Sequence, residues 1–136
     1  LAVANGLADI AVANSYYIGV MLSGRGGQEQ YEAAQKVKLA FPNQRDRGTH
    51  VNISGGGILK FAPNRSNAEK FIEFLLSEEA QEHIVNNTFE YSVLDNVEPN
   101  AVIAQFGSFI SDKTSVADFG KFNPDAVRLM DRVGWR

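Results

Sequence analysis

The stretch Ala8-Asp9-Ile10-Ala11-Val12-Ala13-Asn14-Ser15-Tyr16-Tyr17-Ile18-Gly19-Val20-Met21-Leu22 decides how this chain reads. Ile10 to Ala13 carry no polar side chain on either face. A strand there is expected to be buried on both sides, as in a parallel sheet covered by helices. Asn14 and Ser15 are helix N-cap residues, because a short side-chain oxygen can accept an orphan backbone N–H. The apolar spacing then turns helical through Leu22, which puts Tyr16 and Tyr17 in a first helical turn at the carboxyl end of the strand. In open α/β sheets ligands bind at that end.

The totals narrow the function. A length of 136 residues, 44% of them hydrophobic, accommodates one domain with a core and is short for two. A net charge of −3 argues against binding nucleic acid, and the densest basic spots, Lys36-Val37-Lys38 and Arg45-Asp46-Arg47, are read as solvated surface. The absence of cysteine removes disulfides, thiolate metal sites and cysteine nucleophiles together. No apolar run approaches the ~20 residues of a membrane span. Leu1-Ala2-Val3-Ala4 lacks the cationic flank of a signal peptide, and the start without methionine reads as a processed chain or a fragment.

Outward from the opening stretch, residues 1–5 read as a helix end closed by Gly6. Ser23-Gly24-Arg25-Gly26-Gly27 lacks the Lys-Ser/Thr of a phosphate loop and is expected to be a plain turn. Tyr31, Ala34, Val37 and Phe41 form a helical stripe stopped by Pro42. Val51 and Ile53 alternate within a half-buried strand from His50 to Ser54. Three glycines then separate it from an extended run, Ile58 to Phe61. Ser66 and Glu69 form a capping box for a helix through Leu75, and Ser77 starts another that ends at Asn86-Asn87. Phe89 to Leu94 is a further strand candidate, and Pro99 to Ile110 has some helical character. Asn123-Pro124-Asp125 starts a final helix that Gly134 closes. Strands interspersed with helices give an α/β fold.

Other constellations give no rival site. His50 and His83 are the only histidines and neither has a metal-ligand partner at useful spacing. His50 with Ser54 suggests a base and a nucleophile, but without the strand–elbow–helix context of a G-x-S-x-G hydrolase. Glu69, Glu73, Glu78, Glu79 and Glu82 read as a solvated helical face. A tyrosine pair alone is ordinarily packing; only its place past a strand end raises it to a candidate site.

From Ala8 through Tyr17 the sequence resembles the bacterial periplasmic ferric-iron-binding proteins, the receptors of Fe(III) ABC importers. The mark of that family is a buried strand ending in Asn-x-Tyr-Tyr. The resemblance continues through Glu32-Ala33-Ala34-Gln35-Lys36-Val37, Phe41-Pro42 and Arg47-Gly48-Thr49-His50-Val51-Asn52-Ile53-Ser54-Gly55. It resumes at Ala62-Pro63-Asn64, Phe74-Leu75-Leu76-Ser77, Glu90-Tyr91 and Gly134-Trp135-Arg136.

The resemblance implies a two-lobed, class II periplasmic-binding-protein-like fold represented by its C-terminal part. Residues 1–48 and 93–136 would belong to the C-terminal lobe, and 49–92 would cross the hinge and complete part of the N-terminal lobe. Tyr16 and Tyr17 would be phenolate ligands to Fe(III), and Asn14 would stand behind them near a synergistic anion, carbonate or phosphate. A hard trivalent ion suits anionic oxygen. Ligand status does not carry to Tyr31 or Tyr91. The implied protein is no enzyme; it works in the periplasm and delivers iron to an ABC permease, with the remaining ligands on an N-terminal lobe absent from this sequence. The alternatives are a binder of another small solute, phosphate or polyamine, on the same fold, and a hydrolytic enzyme using His50 and Ser54.

Overall fold

The helix expected after Asn14 forms at Ser15–Leu22 (α1), with Asn14 in the extended N-cap conformation at φ −70°, ψ 142°. The computed structural model describes residues 1–135, so Arg136, the last residue of the Gly134-Trp135-Arg136 match, lies outside the described residues. Four more α-helices follow among them: Gln28–Gln35 (α2), Arg65–Leu75 (α3), Glu78–Thr88 (α4) and Val116–Arg132 (α5), with a 3-10 turn at Ile103–Phe106. The chain divides into two compact units, Leu1–Ala40 with Gly56–Ser108, and Phe41–Gly55 with Phe109–Arg136.

In the first unit α1 packs on α2 and α3 on α4. Its core gathers Val85, Phe89, Val97 and Ile103, with Tyr16, Val20, Tyr91, Leu94, Val102 and Phe106 packed around them. Two amides tie the loops to this core. Gln81 is buried. Its Nε2 donates to the Leu75 carbonyl at 2.7 Å, and its Oε1 accepts from Ser92 Oγ at 3.1 Å and the Val93 N–H at 3.0 Å. Asn100 Nδ2 donates to the Val85 carbonyl at 2.9 Å while its Oδ1 accepts the Val102 and Ile103 N–H groups at 3.0 and 3.1 Å. Such pairing removes the penalty of burying polar atoms.

In the second unit a single parallel bridge, Thr49 to Ser111, is reinforced by Gln44. The Gln44 Nε2 donates to Thr49 Oγ1 at 2.9 Å and to the Ile110 carbonyl at 3.0 Å, and its Oε1 accepts the Ile110 N–H at 2.7 Å. Phe41 stacks on Phe109 at 4.1 Å. Asp112 accepts from the hydroxyl and N–H of Thr114 and faces Arg47 at 3.8 Å. Those two Thr114 hydrogen bonds, chiefly, hold its carboxyl below the usual range.

Several sequence expectations are corrected. Ile10 to Ala13 takes up no helix or strand, and Ile10 is 83% and Val12 81% exposed instead of buried. His50–Ser54, Ile58–Phe61 and Phe89–Leu94 likewise form no ladder. A strand exists only with a neighbouring strand to take its N–H and C=O groups in a ladder, and among the described residues the one such pairing is the isolated Thr49–Ser111 bridge. Phe89 instead closes α4 in the left-handed conformation, at φ 61°. Helix α2 stops at Gln35, six residues before Phe41, whose ring stacks on Phe109 and does not extend the α2 stripe. Asn64 precedes α3 without a side-chain cap, and Glu69 pairs with Arg65 at 2.9 Å instead of closing a box with Ser66. The last helix begins at Val116, because Ser115 Oγ accepts the Ala117 N–H at 3.3 Å and so caps it earlier. Pro124 therefore lies inside the helix. Only Ile103–Phe106 of the 99–110 segment is helical. The expected cap at Ser77 forms, accepting from the Ala80 N–H. Gly6, at φ 72°, closes the turn over residues 1–5.

Candidate functional site

Tyr16 and Tyr17 stand in the first turn of α1 with their ring centroids 4.3 Å apart and the planes inclined at 44°. Successive helical residues point about 100° apart. Tyr16, Gly19 and Val20, spaced three and four apart, share the face turned to the core. Tyr17 is left turned outward and is 54% exposed. The pair thus combines a braced ring with an open one, both carried on the first turn of α1.

Asn14 does not cap α1 with its side chain; its Nδ2 reaches Tyr16 Oη in a long contact of 3.4 Å. All three expected site residues are therefore brought together. The Tyr17 phenol is raised above its ordinary range, first by hydrogen bonding to Tyr16, then by that neighbour's charge and by desolvation. The Tyr17 phenol therefore resists losing its proton to water. A cation that binds both phenolates would reverse that preference.

The competing residues are engaged elsewhere. Tyr31 lies on α2, and the Tyr91 phenol, packed against the core, is raised by burial. The His50 ring lies 5.0 Å from Phe119. His83 lines a groove of about 600 Å³ with Phe74, Leu75, Glu79, Ala80 and Ile84, without a second nitrogen ligand. Among the described residues no three His, Asp or Glu side chains converge as a metal site, and no helix is long and apolar enough to cross a membrane. What the residue pattern did not announce is the wall behind α1, where Gly19 meets Phe89.

No protein-family model matches the chain. In sequence it is 47% identical over 135 residues to iron uptake protein A1 of Synechocystis sp., covering 99% of this chain and 37% of that protein. It is 28% identical to the major ferric iron-binding protein of Neisseria meningitidis, again over 99% of this chain and 39% of the relative. In structure it superposes with a TM-score of 0.92 and 50% identity on a Trichodesmium protein (IdiA, FutA) in complex with iron and citrate, covering 42% of it. The ferric binding protein of Campylobacter jejuni gives a TM-score of 0.90 at 36% identity. The chain thus has the fold of part of a periplasmic-binding-protein-like molecule. More particularly, it is homologous to the ferric-iron-binding proteins of iron uptake, and it spans about two fifths of their length. These relatives are named as iron-uptake and ferric iron-binding proteins.

Proposed function

We propose that this chain supplies the phenolate portion of a ferric-ion site, with Tyr16 and Tyr17 as ligands and Asn14 beside them. The observation that carries the reading is the juxtaposition of two adjacent phenols, one 54% exposed, within a chain homologous to ferric-binding proteins along nearly all of its length. Iron is the cargo here, and hard anionic oxygen is the donor it favours. An oxygen-donor anion, carbonate or phosphate, completes the shell near Asn14. The iron and citrate bound by the Trichodesmium relative support an anion in such a shell. Two phenolates fill two of six octahedral positions, so the chain alone binds iron weakly, and the other protein ligands come from residues outside this sequence. A relative from Serratia marcescens is named as periplasmic; we place this chain there too, handing iron to an ABC permease, with residues 49–92 crossing between lobes formed in part by 1–48 and 93–136.

Titration with ferric citrate tests the ligand assignment. A visible phenolate-to-iron charge-transfer band is expected, lost in the Tyr16→Phe/Tyr17→Phe double variant. A band of equal strength in that variant would overturn the assignment.

A further inference from the structure

The residues behind the tyrosines carry a second role. Gly19 is buried in the middle of α1, and a Cβ placed on it would stand 2.6 Å from Phe89 Cβ and 2.9 Å from Cγ. That contact is with the root of a side chain, which cannot swing aside. Phe89 is itself fixed. It is 3% exposed, its ring lies in the cluster of Val85, Val97 and Ile103, and its backbone is held left-handed at the end of α4. Arg25, just beyond α1, closes the arrangement from the other side. Its guanidinium lies 4.9 Å over the Phe89 ring, and its Nη1 donates to the Asn87 carbonyl at 2.7 Å near the end of α4. Helix α1 is therefore seated against the C-terminus of α4 at a closeness that only glycine permits.

We infer that Gly19 and Phe89 are positioning residues for the ferric ion, together setting the depth and rotation at which the helix presents Tyr16 and Tyr17. The inference rests on the phenolate reading. Tyr16 lies three residues before Gly19, on the same helical face. A shift of α1 away from Phe89 therefore moves its ring directly and rotates the adjacent Tyr17 with it. Ligand geometry set this way is a matter of tenths of an ångström, the scale on which metal affinity responds to supporting residues.

The test compares wild-type chain, Gly19→Ala and Phe89→Leu, each titrated with ferric citrate and checked for helix content by far-ultraviolet circular dichroism. Alanine at 19 pushes α1 off its wall, and leucine at 89 keeps the core apolar while removing the ring on which α1 rests. Gly19→Ala should bind iron at least tenfold more weakly and shift or weaken the charge-transfer band per bound iron, and Phe89→Leu should do so in the same direction. An unchanged band and affinity in either folded variant would overturn the inference. If Gly19→Ala does not fold, Phe89→Leu alone decides on the same criterion. Absence of a band in the wild type would instead strike the tyrosine assignment itself, so the two failures are distinguishable.

Discussion

At the scale of single residues, the tyrosine pair is a problem in proton release. Tyr17 starts from a raised phenol, and iron must displace that proton and the Tyr16 proton to gain two phenolates. Each proton that iron displaces makes binding stronger as pH rises, because raising the pH lowers the cost of its release. The expected slope is about two decades of affinity per pH unit when both phenols ionise on binding. Competition against a chelator of known proton dependence, between pH 6 and 8, measures it. In Tyr17→Phe the slope should fall by about one, and an unchanged slope would show that Tyr17 keeps its proton. The pair's place in a first helical turn was legible from sequence because helix-start signals are local, whereas its reading as a site came from the family resemblance. Asn14 was legible only by place: it stands at the cap, but its amide turns to Tyr16 Oη. The Gly19–Phe89 contact was not legible, since nothing within ten residues of Gly19 indicates that a side chain from the end of α4 will lie against it.

At the scale of elements, helices were readable and strands were not, for one physical reason. A helix satisfies its backbone within its own segment, so Ser77 and the acidic Glu78-Glu79 turn could announce α4 locally. A strand is satisfied only by a neighbour, and the apolar run Ile10 to Ala13 pairs with no strand among the described residues. Pro124 shows local evidence outweighed by other local evidence. Asn123-Pro124 has the form of a helix start, yet Ser115 caps the helix eight residues before Asn123 and α5 runs through the proline. That proline leaves the Gly120 carbonyl without its usual donor, a cost of up to about 3 kcal/mol in a helix interior. Pro124→Ala should therefore raise the helix content and thermal midpoint of the chain, read by circular dichroism. A fall in either would mean that Pro124 marks a true helix boundary.

At the scale of the whole molecule, the distribution of apolar surface is unusual. Leu7, Ile10, Val12, Leu59 and Phe61 are each at least 80% exposed, and α5 buries no residue. Scattered exposed apolar residues are ordinary, but runs of this kind ask for cover. Relatives more than twice as long contain the sequence to provide it. The chain by itself should accordingly self-associate at micromolar concentration, seen as a rise in light-scattering mass, whereas a monodisperse monomer would show that these runs are covered from within. The α/β class was read from apolar runs that form no ladder among the described residues, and it is the superposition on the ferric-binding proteins that carries the fold class. The central claim remains the pair of phenols on α1. Its most direct test is the visible absorption spectrum during ferric citrate titration of the wild-type chain and of the Tyr16→Phe/Tyr17→Phe variant at equal helix content. A charge-transfer band that grows with iron in the first and is missing from the second is the predicted result; identical spectra from the two would contradict it.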